Sequence, residues 1–212
     1  MSAAPSGSPT HSSHDIVTAK ALMRKDAASR RAALMSEQPE APQHLAGFAA
    51  ALIESFGVGV YAAYLPIRSE LSPIALVGEL VAAGMTTVMP ITPEPENPLS
   101  FHQWAPGMPL AEGPYGTKQP PSANRKIDPD VILAPMLAFD AGCWRLGYGG
   151  GFYDRTIANL RDQGRDVRVI GLAFSGQKVA AVPTGPYDMA LDAVLTPEGL
   201  VWPVDRDDTM KG

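Results

Sequence analysis

Apolar positions change their period several times along the chain, and each change marks an element. Residues 15–35 carry Ala, Leu, Met, Arg and Lys with no Gly or Pro, and Asp15 can cap the first free N–H groups, so this stretch predicts a helix. A second helix is expected near residues 43–55. After Gly57 the run Val58-Gly-Val-Tyr-Ala-Ala-Tyr64 has no helical period and stops at Pro66, the pattern of a strand buried on both faces. Residues 73–83, opened by Ser72 and Pro73 and closed by Gly84, predict a helix, and residues 86–89 a short strand before Pro90.

Residues 91–126 are rich in Pro and Gly and too long for a plain connector, so they are expected to supply functional surface, with Phe101 and Trp104 in a short strand. A strand over 131–134, a Gly-rich turn, a helix over 152–163 and a strand over 167–173 complete a second alternating unit. Short apolar strands alternating with amphipathic helices predict an α/β layered sheet with parallel core pairs. Ligands of such sheets collect at the C-terminal ends of the strands, where the turns at 66–70 and 135–151 should lie. The sequence contains no internal repeat.

Composition narrows the picture. A chain of 212 residues, 45% hydrophobic and 18% charged, is globular and fits one domain of ordinary size; we expect a tail over 1–14 and a single α/β domain over 15–212. A formal net charge of −5 argues against nucleic-acid binding, which needs clustered Lys and Arg. The lone Cys143 excludes an internal disulfide framework and a thiolate-rich zinc site, and suits a reducing compartment. No apolar run is long enough to cross a bilayer. The first 14 residues are rich in Ser, Pro and His without a hydrophobic signal core, so we read them as a disordered tail on a cytoplasmic protein. No obligate protein partner is inferred.

The chemistry concentrates in Gly147-Tyr-Gly-Gly-Gly151, four glycines among five residues between a strand and a helix. Such a loop can turn successive N–H groups toward one anion and admit phosphate close to the main chain. Arg145 and Arg155 bracket it with fixed positive charge, and Asp154 is placed to help hold Mg²⁺ beside a polyphosphate. The glycines alone read better as a flexible turn, with Asp154 and Arg155 as solvated helix-start charges. Neither the Walker pattern nor the dinucleotide fingerprint is met, because no Gly-Lys-Ser/Thr occurs and the supporting acidic residue is missing.

The longer string, Phe139-Asp140 followed by Arg145-Leu-Gly-Tyr-Gly-Gly-Gly-Phe-Tyr-Asp154, closely resembles the signature of the 5-formyltetrahydrofolate cyclo-ligase family, also called methenyltetrahydrofolate synthetases. The resemblance runs from about Lys20 to Gly199. It includes Lys20-Ala-Leu-Met-Arg24, Tyr64-Leu-Pro-Ile-Arg-Ser-Glu70, Phe101 to Trp104 with Pro106-Gly107, and Gln177, Pro183, Tyr187-Asp188 and Leu191-Asp192-Ala-Val194. It implies a three-layer α/β/α sandwich with a largely parallel central sheet, related to the sugar-phosphate isomerase and CoA transferase-like fold. The activity it implies is ATP- and Mg²⁺-dependent cyclisation of 5-formyltetrahydrofolate to 5,10-methenyltetrahydrofolate, with small-molecule partners only. A non-catalytic nucleotide- or folate-binding homologue is the alternative.

Carried over residue by residue, the resemblance implies that ATP is held by Lys20, Arg24 and the loop from Arg145 through Leu146, Gly147, Tyr148, Gly149, Gly150, Gly151, Phe152 and Tyr153. Catalysis falls to Arg145, Asp154 and Arg155. Folate contacts fall to Tyr64, Glu70, Trp104, Tyr148 and Tyr153, and the metal to Asp154 and Asp188. Read without the family, Lys20, Arg24 and Arg31 form an exposed basic helix face, Glu70 a helix-cap charge, Trp104 a packing aromatic and Asp188 a turn residue, while Asp192 is structural. Gly150 stands where many relatives have Lys, Tyr148 where others have Arg, and Tyr187 where His or Asn is common. Arg145, Arg155 or Lys20 would then neutralise the transferred phosphoryl group.

Overall fold

The computed structural model describes residues 13–204. Of the expected tail, residues 1–12 lie outside the described part, and helix α1 (Ser13–Glu37) begins two residues earlier than the sequence suggests. The expected second helix is two, α2 (Ala41–Ala46) and α3 (Ala49–Phe56), interrupted at Gly47 and Phe48 where Gly weakens the helix. Strand β1 (Val60–Ala62), helix α4 (Ile74–Ala82) and strand β2 (Thr86–Ile91) form the first strand-helix-strand unit. Strand β3 (Ser100–Gln103) carries Phe101, with Trp104 immediately after it.

A small hairpin, β4 (Ala111–Glu112) with β5 (Lys118–Gln119), occupies the long connection. Strand β6 (Val131–Pro135) leads into a second hairpin, β7 (Ala138–Phe139) with β8 (Arg145–Leu146), and then the Gly-rich loop. Helix α5 (Phe152–Asp162), β9 (Arg168–Leu172), β10 (Ala193–Thr196) and β11 (Gly199–Val201) complete the chain.

One sheet holds the molecule together in the order β11-β10-β9-β6-β1-β2-β3. The inner pairs are parallel, and β3 and β11 are antiparallel edges. Side chains of a strand alternate between faces, and the two large cores follow that period. Tyr61, Ala63, Val131, Leu133, Ile170 and Leu172 pack with α2, α3 and α4 on one face. Ala62, Ile132, Ala134 and Val169 pack with Ile157 and Leu160 of α5 on the other. Three layers result, as the resemblance implies. No described helix is long and apolar enough to cross a membrane.

Strand β1 pairs with β2 on one side and β6 on the other, so the chain reverses its direction of growth between β1 and β6. That reversal opens a crevice beyond their C-terminal ends, the usual ligand position in open α/β sheets. Helix α1 lies across it: Ala27 packs with Leu137, Ala138, Leu146 and Val182, and Leu34 reaches Gly176.

Candidate active site

The Gly-rich loop enters α5 through Gly151, whose φ of 66° lies in the left-handed region, and Gly149 has φ 103°. Both conformations favour glycine. A Cβ on Gly149 would come 3.2 Å from the Arg24 guanidinium carbon, and one on Gly151 would strike Arg155 Nη1 at 2.5 Å, so the cations pack directly on bare backbone. Arg24 Nε donates to the Gly147 carbonyl at 2.9 Å and Arg155 Nη2 to the Gly150 carbonyl at 2.7 Å. Among the described residues no side chain caps the α5 N-terminus, and none partners the buried Arg155 Nε. Free helix N–H groups beside an orphaned guanidinium donor fit an anion such as a phosphate.

Two ion pairs flank the loop. Arg145 Nη2 donates to Asp154 Oδ1 at 2.6 Å while Nη1 donates to the Met189 carbonyl at 3.2 Å, which ties the start of α5 to the segment carrying Asp188. Lys20 Nζ donates to Asp188 Oδ1 at 2.6 Å, and Asp188 Oδ2 accepts from the Gly185 N–H. Asp154 and Asp188 therefore sit on segments joined by Arg145, each neutralised by its own cation. Asp154 Oδ2 accepts no hydrogen bond from a described residue, which fits a hard cation that takes few protein oxygens; Asp188 would have to exchange Lys20 for it. Among the described residues no group of three or more His, Cys, Asp or Glu converges on a metal position. Phosphate oxygens and water would supply the rest of the shell.

The folate candidates divide. Tyr64 and Trp104, expected on the substrate, are buried in the core: the Tyr64 hydroxyl donates to the Leu71 carbonyl and Trp104 Nε1 to the Met108 carbonyl at 3.2 Å. The Tyr64 hydroxyl thus braces the residue after Glu70, and the Trp104 indole braces the turn that follows it in the chain. Glu70 is 6% exposed, and its Oε2 accepts from the Ile67 N–H at 2.9 Å. Burial raises its pKa, against the pull of the Ile67 N–H and Arg31. Tyr148 is 40% exposed, and its hydroxyl accepts from Arg31, whose Nη1 lies 3.9 Å from Glu70 Oε1. The Tyr153 hydroxyl pKa is raised by burial first and by the Glu70 charge second.

Arg31 is the residue sequence reasoning placed wrongly. Instead of an exposed basic face, it is 2% exposed and bonded to three segments. Its spacing from Lys20 and Arg24, seven residues beyond Arg24, was the signal for a shared helix face. Two signature residues act as braces. Asp140 accepts from the Gly142, Trp144 and Val182 N–H groups, and Gln177 Nε2 donates to the Met136 and Leu137 carbonyls. Asp192 accepts from the Val169 N–H at 2.8 Å, a structural role. Cys143 is buried and its thiol is pushed up to about 11 by burial, which makes it a poor nucleophile.

A three-layer α/β fold with an anion-fitted Gly loop, paired carboxylates and cations at its strand ends defines an α/β protein built to bind a phosphorylated ligand. The chain belongs to the 5-formyltetrahydrofolate cyclo-ligase family, whose model matches residues 16–197. It is 34% identical over 144 residues to a 5-formyltetrahydrofolate cyclo-ligase of Mycolicibacterium smegmatis, covering 64% of this chain and 72% of the relative. It is 31% identical over 164 residues to one of Haemophilus influenzae, covering 75% and 87%. The solved 5,10-methenyltetrahydrofolate synthetase of Aquifex aeolicus superposes with a TM-score of 0.70 at 24% identity, over 86% of this chain and 92% of that one, a likeness of fold.

Proposed function

We propose that the protein cyclises 5-formyltetrahydrofolate to 5,10-methenyltetrahydrofolate at the expense of ATP, with magnesium held by Asp154 and Asp188. Membership of the family supports the reaction, and the observation that carries its location is the uncapped α5 N-terminus with the unpartnered Arg155 Nε. The formyl oxygen attacks the γ-phosphorus and ADP leaves; N10 then attacks the activated carbon and loses its proton, and the oxygen departs with phosphate. No protein nucleophile is required, because acceptor and second nucleophile belong to one molecule, and the gain comes from holding them in line.

In this reading the loop N–H groups, Arg24 and Arg155 hold the phosphates, and Arg145 orients Asp154. Magnesium, when bound, would neutralise charge on the phosphate oxygens. Glu70, with Tyr148 and Tyr153 beside it, accepts from the pterin amide and amino N–H groups. Tyr64 holds that segment from behind through the Leu71 carbonyl. The test is to mix the protein with 5-formyltetrahydrofolate and Mg-ATP and follow methenyl-folate absorbance. Stoichiometric product and ADP are expected; binding of both ligands without product would leave the non-catalytic homologue instead.

A further inference from the structure

One side chain spans the crevice between β1 and β6. Arg31 on α1 donates from Nε to Ser69 Oγ at 3.2 Å, from Nη1 to the Met136 carbonyl at 3.2 Å and from Nη2 to the Tyr148 hydroxyl. Nη1 also lies 3.9 Å from Glu70 Oε1, and the guanidinium sits 5.2 Å from the centre of the Tyr148 ring. Ser69 and Glu70 follow β1, Met136 follows β6, and Tyr148 belongs to the Gly-rich loop. A planar fork of donors can serve all of these at once; a Lys ammonium cannot.

The Tyr148 hydroxyl accepts from Arg31 Nη2 while Nη1 of the same guanidinium faces Glu70, so the half-exposed tyrosine and the buried carboxylate share one cation. Tyr148 precedes Gly149, whose backbone angle lies in the region open to glycine, and follows Gly147, whose carbonyl is held by Arg24. The tyrosine that shares Arg31 with Glu70 therefore hangs on the segment that fits the phosphates. A ligand at Glu70 competes with Tyr148 for Arg31, and a ligand that draws the loop toward Arg24 and Arg155 moves Tyr148.

We propose that Arg31 is a positioning residue that couples the two ligand sites: by holding both Tyr148 of the phosphate loop and Glu70, it makes occupation of either site change the affinity of the other. This rests on the functional reading above. Such coupling is reciprocal, so nucleotide strengthens folate binding by the same factor by which folate strengthens nucleotide binding.

The experiment titrates 5-formyltetrahydrofolate into the full chain with and without a magnesium-bound, non-hydrolysable ATP analogue, and then reverses the order. Wild type is expected to show equal factors of about 5-fold or more in the two orders. Tyr148→Phe, which alters a half-exposed group, and Arg31→Lys, which keeps the charge and loses the fork, should bring both factors toward one. Arg31→Met should do the same wherever it folds. An unchanged factor in Tyr148→Phe and Arg31→Lys overturns the proposal, even if their melting temperatures fall, since a packing role alone would lower stability without touching the factor. A wild type that forms methenyl product but shows no coupling overturns the proposal and leaves the functional reading standing. Loss of both ligands and of turnover in wild type overturns the functional reading, and the coupling with it.

Discussion

Helices α1 and α5 hold the same Gly-rich loop from different directions and by different means. Helix α5 buries Thr156, Ile157 and Leu160 against the sheet and turns Asp154 and Arg155, at its first turn, toward the loop. Helix α1 aims Lys20, Arg24, Ala27, Arg31 and Leu34 inward, at steps of four and three residues that return to one face. Three of those five are cations. An apolar stripe faces a core, whereas a charged stripe on a helix that crosses strand ends faces a cleft, and the partners of α1 are carbonyls and carboxylates of that cleft. The difference teaches that direction of burial, and not composition, separates a solvated face from a binding face.

The largest expected effect tests the charged start of α5. Asp154→Asn should lower kcat by about 10²- to 10³-fold, the usual cost of one preorganised electrostatic group, and raise the Mg²⁺ concentration needed for half-maximal rate. Asp188→Asn should act in the same direction through the same ion. Because both damage one site, the double variant should be less impaired than the product of the single losses. Multiplicative losses with an unchanged magnesium requirement would separate the two carboxylates and leave them as partners of Arg145 and Lys20 alone.

The apolar side of α5 gives the next effect. Ile157→Ala deletes a fully buried side chain and should cost about 2–5 kcal/mol of unfolding free energy, with kcat of the folded fraction unchanged. A denaturant titration beside an activity assay separates the two. Loss of kcat without loss of stability would mean that α5 positions the loop through its core face too.

Helix α5 was legible from the sequence almost to the residue, because Ile157 and Leu160 repeat at helical spacing and the glycines mark its start. The parallel sheet was legible for the same reason, its inner strands being short apolar runs between helices. Strands β10 and β11 and the hairpin of β7 and β8 were not: two to four residues carry no period of their own, and only pairing defines them. In the site, the loop and its bracketing Arg145, Arg155 and Asp154 could be read directly, since each lies within a few residues of the glycines. Arg31, Tyr64 and Trp104 could not. A buried Arg looks like any surface cation until its acceptors arrive from three other segments, and an aromatic ring carries no mark of which side it packs.

Glu70 sharpens the contrast further, as the carboxylate that the charged face of α1 reaches. Its folded-state pKa is raised by burial above the ordinary 4.5, so the protonated form is the one that folding favours. The associated stability is fully present below the unfolded value and declines as pH rises through the folded one. Glu70→Gln removes that titration. The stability of wild type relative to the variant should therefore fall as pH rises from about 4.5 toward neutrality, and folate affinity should fall in the variant while nucleotide affinity without folate stays. A relative stability that instead rises with pH would mean that Arg31 outweighs burial at this carboxylate.

The smallest effect comes from the other side of α1. Leu22 is 71% exposed and lies two residues before Arg24, about 200° around the helix at 100° per residue. If the inward face alone carries function, Leu22→Gln should change stability by no more than ~0.5 kcal/mol and leave kcat and both KM values where they were. Arg24→Gln, on the inward face, should instead raise KM for ATP by about tenfold or more, the worth of one charge-assisted hydrogen bond. The pair separates a side-specific role from a general one, because both substitutions introduce the same side chain into the same helix two positions apart. Equal effects at the two positions would mean that α1 matters through its helicity. A stability loss at Leu22 alone would mean that its outward face is covered in solution, which sedimentation at two protein concentrations would then reveal as a change of mass.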